Sequence, residues 1–366
     1  MPDTLTPDTL TPDTLTKAAY QTFQQGKQVF SLAHRTLSTR ILNTILPKER
    51  TEPSTPPPEL LKLLYDRIDA LLEVDWQDAE KGVYPKSALF ENRWDDFFRY
   101  YPEMCLDLPG IWERANSKRY QEFSEGIETA GYPDYYVQNF HHQTDGYFSD
   151  TSANLYDLQV EVLFSGTAAP MRRRILAPLK QHLSARNTAV GTTPQPLKVL
   201  DIACGTGNSL KLINQAMPEA ALYGVDLSPA YLRKANENLL GIKGIPAQLV
   251  QANGEELPFV DEFFEATTST FLFHELPAEA RQNVINEAYR VTKPGGVFVI
   301  CDSIQKMDTP EFGPMMEDFP VTFHEPYYRH YISDDLVARL EAAGFTDVKT
   351  FTHFMSKYWV ALKPAA

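Results

Sequence analysis

The sequence predicts an α/β fold: a doubly wound, mostly parallel seven-stranded sheet, preceded by a helical N-terminal extension. Three observations predict it. From Leu197 onward, short apolar runs alternate with helix-length stretches, the order in which parallel strands and crossover helices are laid down. A glycine-rich turn, Asp201-Ile202-Ala203-Cys204-Gly205-Thr206-Gly207, follows directly on the first of these runs. Ahead of that point the texture is different, with helical spacing and an unusual density of aromatic residues.

Taken in chain order, the first segment reads PDTLT three times between Pro2 and Thr16. A five-residue repeat with a proline in each copy cannot bury a core, so residues 1–16 are expected to form a disordered tail. Residues 17–190 are expected to form a helical, aromatic-rich substrate or lid region. Its first part, about Lys17 to Leu46, spaces Phe23, Val29, Phe30, Leu37, Ile41 and Leu42 as an amphipathic helix would, one that docks on the body. Pro53 to Pro58 reads as a linker or a helix start. Leu60, Leu61, Leu64, Ile68, Leu71 and Leu72 then recur at helical spacing and predict one buried stripe. The stretch from Tyr132 to Tyr156 carries seven aromatics and two adjacent histidines with little periodicity.

Gly191 to Pro196 reads as a loop opening the second half, residues 191–366. Strands are expected at Leu197–Ile202, Leu222–Val225, Ala247–Val250, Phe263–Thr270 and Gly296–Cys301. Helices are expected between them at Asn208–Ala216, Pro229–Asn238 and Ala278–Arg290. After a helix at Asp334–Ala343 come two further strands, Phe345–Phe351 and Tyr358–Leu362. The connection between these two is short, so they should pair antiparallel.

Composition bounds the function. The hydrophobic fraction of 43% and charged fraction of 22% are those of a soluble globular protein. A formal charge of −14 argues against nucleic acid and anionic membranes as primary partners. The one compact basic run, Arg172-Arg173-Arg174, reads as a solvated helix face. Three scattered cysteines suggest neither a disulfide framework nor a metal cluster. No apolar run is long enough to span a bilayer, and no secretory signal is visible. The expectation is a cytoplasmic protein acting on a small-molecule substrate, without stable membrane insertion; no feature specifies an oligomer.

The glycine-rich turn is where chemistry enters. Gly205 and Gly207 let the backbone approach a ligand closely. The Gly-Lys-Ser/Thr of a phosphate-binding loop is missing, and position 210 is Leu where a dinucleotide fold wants a third glycine. Asp201, at the end of the strand, suits a cationic amino-acid group better than a pyrophosphate. Asp226, ending the second strand in Gly224-Val225-Asp226-Leu227-Ser228, can accept both hydroxyls of a ribose. Gln251 to Phe259 follows the third strand and can meet an adenine edge.

These segments resemble class I S-adenosylmethionine-dependent methyltransferases, especially the ubiquinone and menaquinone C-methyltransferase branch. The resembling residues are VLDIACGTGN at Val199–Asn208, GVDLS at Gly224–Ser228, the turn Leu257-Pro258-Phe259, and Arg290–Gly296 before the fifth strand. The resemblance implies a Rossmann-like methyltransferase fold and S-adenosyl-L-methionine as cofactor. It implies cofactor contacts at Asp201, Ala203, Gly205, Gly207, Asn208, Asp226, Leu227, Asn253, Gly254 and Phe271. Two positions depart from the pattern. Ala203 stands where glycine is usual, and Asn253 where an aspartate commonly meets the adenine amino group. An amide oxygen still accepts that bond.

Methyl transfer from a sulfonium needs an aligned nucleophile and often a base. His274 and Glu275 follow the fourth strand, at the end of the sheet where ligands collect, and His141 and His142 lie in the aromatic stretch. All four are candidates for base or orienting group; a loop-tying role for His274 stands beside that reading. Adjacent histidines make a poor chelate, so no metal is expected. Tyr136, Phe140, Tyr147 and Tyr156 are the candidate lid over the acceptor, and Tyr156-Asp157 resembles a pair that precedes the cofactor fold in the family. The expected reaction is methyl transfer to a small, lipophilic or aromatic, quinone- or isoprenoid-like acceptor. The alternative is a non-catalytic sensor or scaffold that binds the same nucleoside.

Overall fold

The computed structural model describes residues 11–45, 57–91, 94–186 and 195–365. Five helices and a sixth come first: α1 (Pro12–Ile45), α2 (Pro58–Glu80), α3 (Trp94–Ser117), α4 (Asp150–Leu163), α5 (Ala168–Arg173) and α6 (Leu176–Arg186). The second half runs β1 (Lys198–Ile202), α7 (Asn208–Ala216), β2 (Ala221–Asp226), α8 (Pro229–Asn238), β3 (Gln248–Gln251), β4 (Phe264–Thr270), α9 (Ala278–Val291) and β5 (Thr292–Ser303). It closes with α10 (Gly313–Thr322), α11 (Tyr328–Tyr331), α12 (Leu336–Ala343), β6 (Thr346–His353) and β7 (Ser356–Leu362).

The seven strands form one sheet in the order β3-β2-β1-β4-β5-β7-β6. All neighbours are parallel except β7, which runs antiparallel to both β5 and β6. Successive strand residues serve opposite faces, as a pleat requires. Val199 and Leu222 join the core beneath α2, α6 and α7, whereas Leu200, Ile202 and Val225 join the core beneath α9 and α12. The chain winds outward from β1 to β3 and then returns to lay β4 on the other side of β1. That reversal opens a crevice at the carboxyl ends of β1 and β4.

Several expectations change. The last repeat copy, Pro12 to Thr16, is the first turn of α1, with proline at a helix start, where its missing N–H costs nothing; residues 1–10 lie outside the described residues, as do residues 46–56 and 187–194. Helix α1 docks through Tyr20 and Gln24, both almost fully buried, while Val29, Leu37 and Ile41 stay exposed. In α2, whose first residue is Pro58, the buried stripe is Ile68, Leu71 and Leu72, and Leu60, Leu61 and Leu64 are only partly covered. Strand β5 begins at Thr292 rather than Gly296.

The largest correction concerns the arginine run. Arg172, Arg173 and Arg174 are all buried, not solvated. Arg173 donates from Nε and Nη2 to the two carboxylate oxygens of Asp75, at 2.8 and 2.6 Å, and Asp75 also accepts from Tyr20 and Tyr84. Burial opposes the charge on Asp75, but Arg173 and these donors outweigh it and hold the carboxyl below its ordinary range. Arg174 pairs with Asp78. Acids on α2, far back in the chain, thus make two of the three buried guanidinium groups, Arg173 and Arg174, tolerable at the end of α5.

Candidate active site

The loop after β1 is shaped by backbone that turns left-handed. Ala203, Gly205 and Gly207 all have positive φ, at 56°, 54° and 81°. At Ala203 this explains why glycine is the usual residue, since a side chain there is strained. Gly207 ends the turn as the N-cap of α7, packed under Ala235 and Leu239. By contrast, a Cβ built on Gly205 meets nothing within 4 Å, so the space above it is open.

Asp201 is 1% exposed, and the Thr268 hydroxyl donates to its Oδ1 at 2.7 Å. Burial, with the Asp226 charge nearby, pushes its carboxyl up to about 7 despite that bond. Asp226 accepts from the backbone N–H groups of Gly205 and Ser228, each at 2.8 Å, and burial pushes it up to about 6. Neither acid forms an ion pair with a Lys or Arg among the described residues, and both line a cavity of about 940 Å³, mouth included, over the end of the sheet.

That cavity is also lined by Ala203, Gly205, Asn208, Leu227, Asn253, Gly254, Phe271 and Glu275 among the expected residues, and by Tyr136, Tyr147 and Tyr156 from the lid. Asn253 and Glu255 bond each other, and Glu255 also accepts from Tyr135. Asp157 accepts from Thr206 and Asn208, which ties α4 to the glycine loop. Phe271, left-handed at φ 59°, lies under the guanidinium of Arg172 at 5.3 Å.

Five expected residues, Gly207, Phe140, His141, His142 and His274, do not line the cavity. Phe140 is buried against Tyr147 with ring centroids 5.6 Å apart. His142 lies beside the stacked Tyr120–His324 pair, with its ring 6.1 and 5.8 Å from theirs. His141 sits one layer behind the wall, where its Nε2 is 3.3 Å from Glu275 Oε1 and 2.9 Å from Glu325 Oε1. Tyr147 donates to the same Glu275 oxygen at 2.6 Å. His274 pairs through Nδ1 with Asp302 at 2.7 Å.

Burial and these carboxylates act on the two imidazoles in opposite senses. Burial lowers both imidazoles, yet Glu325 and Glu275 push His141 up to about 10, and Asp302 pushes His274 up to about 9. Both imidazoles are thus held toward the cationic form.

Sequence reasoning missed Arg172, Glu325 and Asp302. Asp302 is the last residue but one of β5, at the edge where strand ends gather, and that position was its one available signal. Glu325 lies between α10 and α11 with no motif around it.

The loop, the two strand-end acids and the cavity between them can be set beside known proteins. A methyltransferase domain model matches residues 199–296. An uncharacterized methyltransferase of Synechocystis sp. is 33% identical over 153 residues, 42% of this chain and 68% of that protein. The ubiquinone/menaquinone biosynthesis C-methyltransferase of Desulfotalea psychrophila is 32% identical over 53% of this chain and 68% of its own length. The demethylmenaquinone methyltransferase of Geobacillus stearothermophilus is 30% identical, over 42% of this chain and 72% of its own length.

The chain belongs to the S-adenosylmethionine-dependent methyltransferases. Human N-acetylserotonin methyltransferase, solved with S-adenosylmethionine, covers 78% of this methyltransferase at 14% identity and a TM-score of 0.48. S-adenosylmethionine is its cosubstrate. The open space over Gly205 and the buried carboxyls of Asp201 and Asp226 beside it fit that molecule. No described helix of the methyltransferase is long and apolar enough to cross a membrane.

Proposed function

We propose that this methyltransferase acts on a lipophilic or aromatic, quinone- or isoprenoid-like acceptor held between its tyrosine wall and Glu275. The observation that carries the proposal is the composition of the cavity beyond the glycine loop. Tyr136, Tyr147, Tyr156 and Phe271 supply ring faces, and Glu275 is the carboxylate among them. The names of the quinone methyltransferases to which the chain is similar point the same way.

Asp201 would take the ammonium of the methionine portion and Arg172 its carboxylate. Arg172 is buried, lines the cavity, and pairs with no carboxylate among the described residues. Asp226 would accept the ribose hydroxyls, and Asn253 with Gly254 would border the adenine. The bound sulfonium supplies an electrophilic methyl group. Around it the tyrosine faces favour positive charge and exclude water. Glu275 would orient the acceptor and receive its proton, with Tyr147 and His141 fixing the carboxylate and His274 standing by as a second cation. His141 and His274 thus orient rather than abstract.

The test is methyl-labelled S-adenosylmethionine offered with a panel of naphthoquinols, phenols, prenylated lipids, amines and small carboxylic acids, followed by mass spectrometry. Transfer confined to amines or small polar acids would sink the reading.

A further inference from the structure

We propose that His141, Glu275 and Glu325 form a site for one divalent transition-metal ion, of the manganese, iron(II) or zinc class, at the acceptor end of the cofactor cavity. The inference rests on the reading of Glu275 as the acceptor-facing group and refines how that group acts.

The three side chains come from separate parts of the chain: the loop before α4, the turn after β4, and the connection from α10 to α11. One nitrogen and two carboxylate oxygens lie within 4.8 Å of one another. An octahedral ion with bonds of about 2.1 Å sets neighbouring ligand atoms about 3 Å apart. His141 Nε2 lies 2.9 Å from Glu325 Oε1 and 3.3 Å from Glu275 Oε1, so both edges from the nitrogen already have that length.

Glu325 supplies an independent pointer. It is fully buried, and apart from the His141 imidazole neither carboxylate oxygen has a hydrogen-bond donor among the described residues. The imidazole at 2.9 Å neutralises it. A carboxylate brought out of water normally recovers its lost hydration through two or more donors, and one left with a single donor marks a place for a water or an ion. Glu325 is aimed at the Glu275–His141 contact, so an ion there would meet all three.

The backbone is set for the same geometry. His141 and His142 are consecutive left-handed residues, at φ 55° and 57°, a conformation costly for side chains this large. The strain separates the two rings: His142 goes to Tyr120 and His324, and His141 to the carboxylates. The adjacent pair does not chelate; one histidine joins two distant acids instead. Such a nitrogen-and-carboxylate set favours transition ions over magnesium, which prefers oxygen alone.

An ion here would displace the proton on His141 Nε2 and leave coordination positions toward the cavity through Glu275. An acceptor hydroxyl or enol oxygen bound there would be acidified. That narrows the acceptor to one bearing such an oxygen beside the methylated atom.

The experiment titrates Mn²⁺ into chelator-stripped full-length protein, with and without S-adenosylhomocysteine, by calorimetry and by loss of the free-ion paramagnetic resonance signal. One saturable site is expected, with a proton released on binding, visible as a dependence on buffer ionisation enthalpy. Glu325→Gln and His141→Gln should each weaken Mn²⁺ by about tenfold or more while still binding S-adenosylhomocysteine, which reports that they fold. No saturable binding up to millimolar Mn²⁺ by wild type that binds S-adenosylhomocysteine would overturn the ion. Equal Mn²⁺ affinity in wild type and both variants would also overturn it. Glu275→Gln with normal turnover would instead remove the acceptor-facing role of Glu275, and with it the refinement.

Discussion

The raised pKa of Asp201 makes cofactor affinity a function of pH, with a sign fixed by the structure. In the free protein this carboxyl is pushed up to about 7 because it is buried at the end of β1 beside Asp226. A cationic ammonium binds the ionised form, so below that value binding must first expel a proton. The penalty follows the protonated fraction, and affinity should fall about tenfold between pH 8 and pH 6. Asp226, raised to about 6, adds roughly a further twofold at the acid end. The folding linkage runs in the opposite sense. A carboxyl raised from 3.8 in the unfolded chain contributes stability that is present at low pH and lost as pH rises toward 7. Free protein should therefore lose stability over that interval while ligand-induced stabilisation grows. Calorimetry of S-adenosylhomocysteine across the range, in paired buffers, measures both affinity and proton release. In Asp201→Asn the Asp201 component should vanish, leaving a shallow profile and weaker binding by about 1.5–3 kcal/mol, the worth of a charged hydrogen bond. Equal affinity at both ends of the range in the wild type, or a full slope in Asp201→Asn, would refute the reasoning.

Three further outcomes are expected. Gly205→Ala adds a methyl that meets no protein atom, so it should cost only the left-handed strain of about 1–2 kcal/mol in a melt. The same methyl should remove most S-adenosylhomocysteine binding, because it occupies the ligand's space. Asp75→Asn leaves Arg173 buried without its charge partner and should destabilise the fold by about 3–5 kcal/mol in denaturant titrations. Arg172→Met should leave the melting temperature of the free protein nearly unchanged and weaken S-adenosylhomocysteine about ten- to a hundredfold; unchanged affinity would place the methionine carboxylate elsewhere.

The cofactor side of the site was legible because it is local. Asp201, Gly205 and Gly207 are contiguous, and Asp226 follows after one helix and one strand, so spacing alone carries their relation. The strands were legible for the same reason, each a run of apolar residues at the right interval. What escaped was built by long-range pairing. Three consecutive arginines look solvated until Asp75, 98 residues before Arg173, is brought beneath them. Tyr20, the residue that seats α1, is one aromatic among several, and only the buried Asp75 carboxylate distinguishes it.

The acceptor side is illegible in a more consequential way. Glu275 meets His141 across 134 residues of chain, and Glu325 belongs to a connection with no periodicity to read. Both His141 and Glu325 lie outside residues 199–296, the span that matches the methyltransferase domain model. Tyr136, Tyr147 and Tyr156 lie outside it too. Similarity within that span therefore bears on the half of the cavity that holds the methyl donor. The groups that would meet the acceptor come from the aromatic stretch ahead of the sheet and from the segment between β5 and β6. Those two segments can diverge without disturbing Asp201, Gly205 or Asp226, since they touch the loop mainly through Asp157 and the rim of the cavity. Exchanging them between methyltransferases should change the acceptor and leave S-adenosylhomocysteine affinity in place; substrate profiling of such a chimera, with calorimetry on the same protein, separates the two halves.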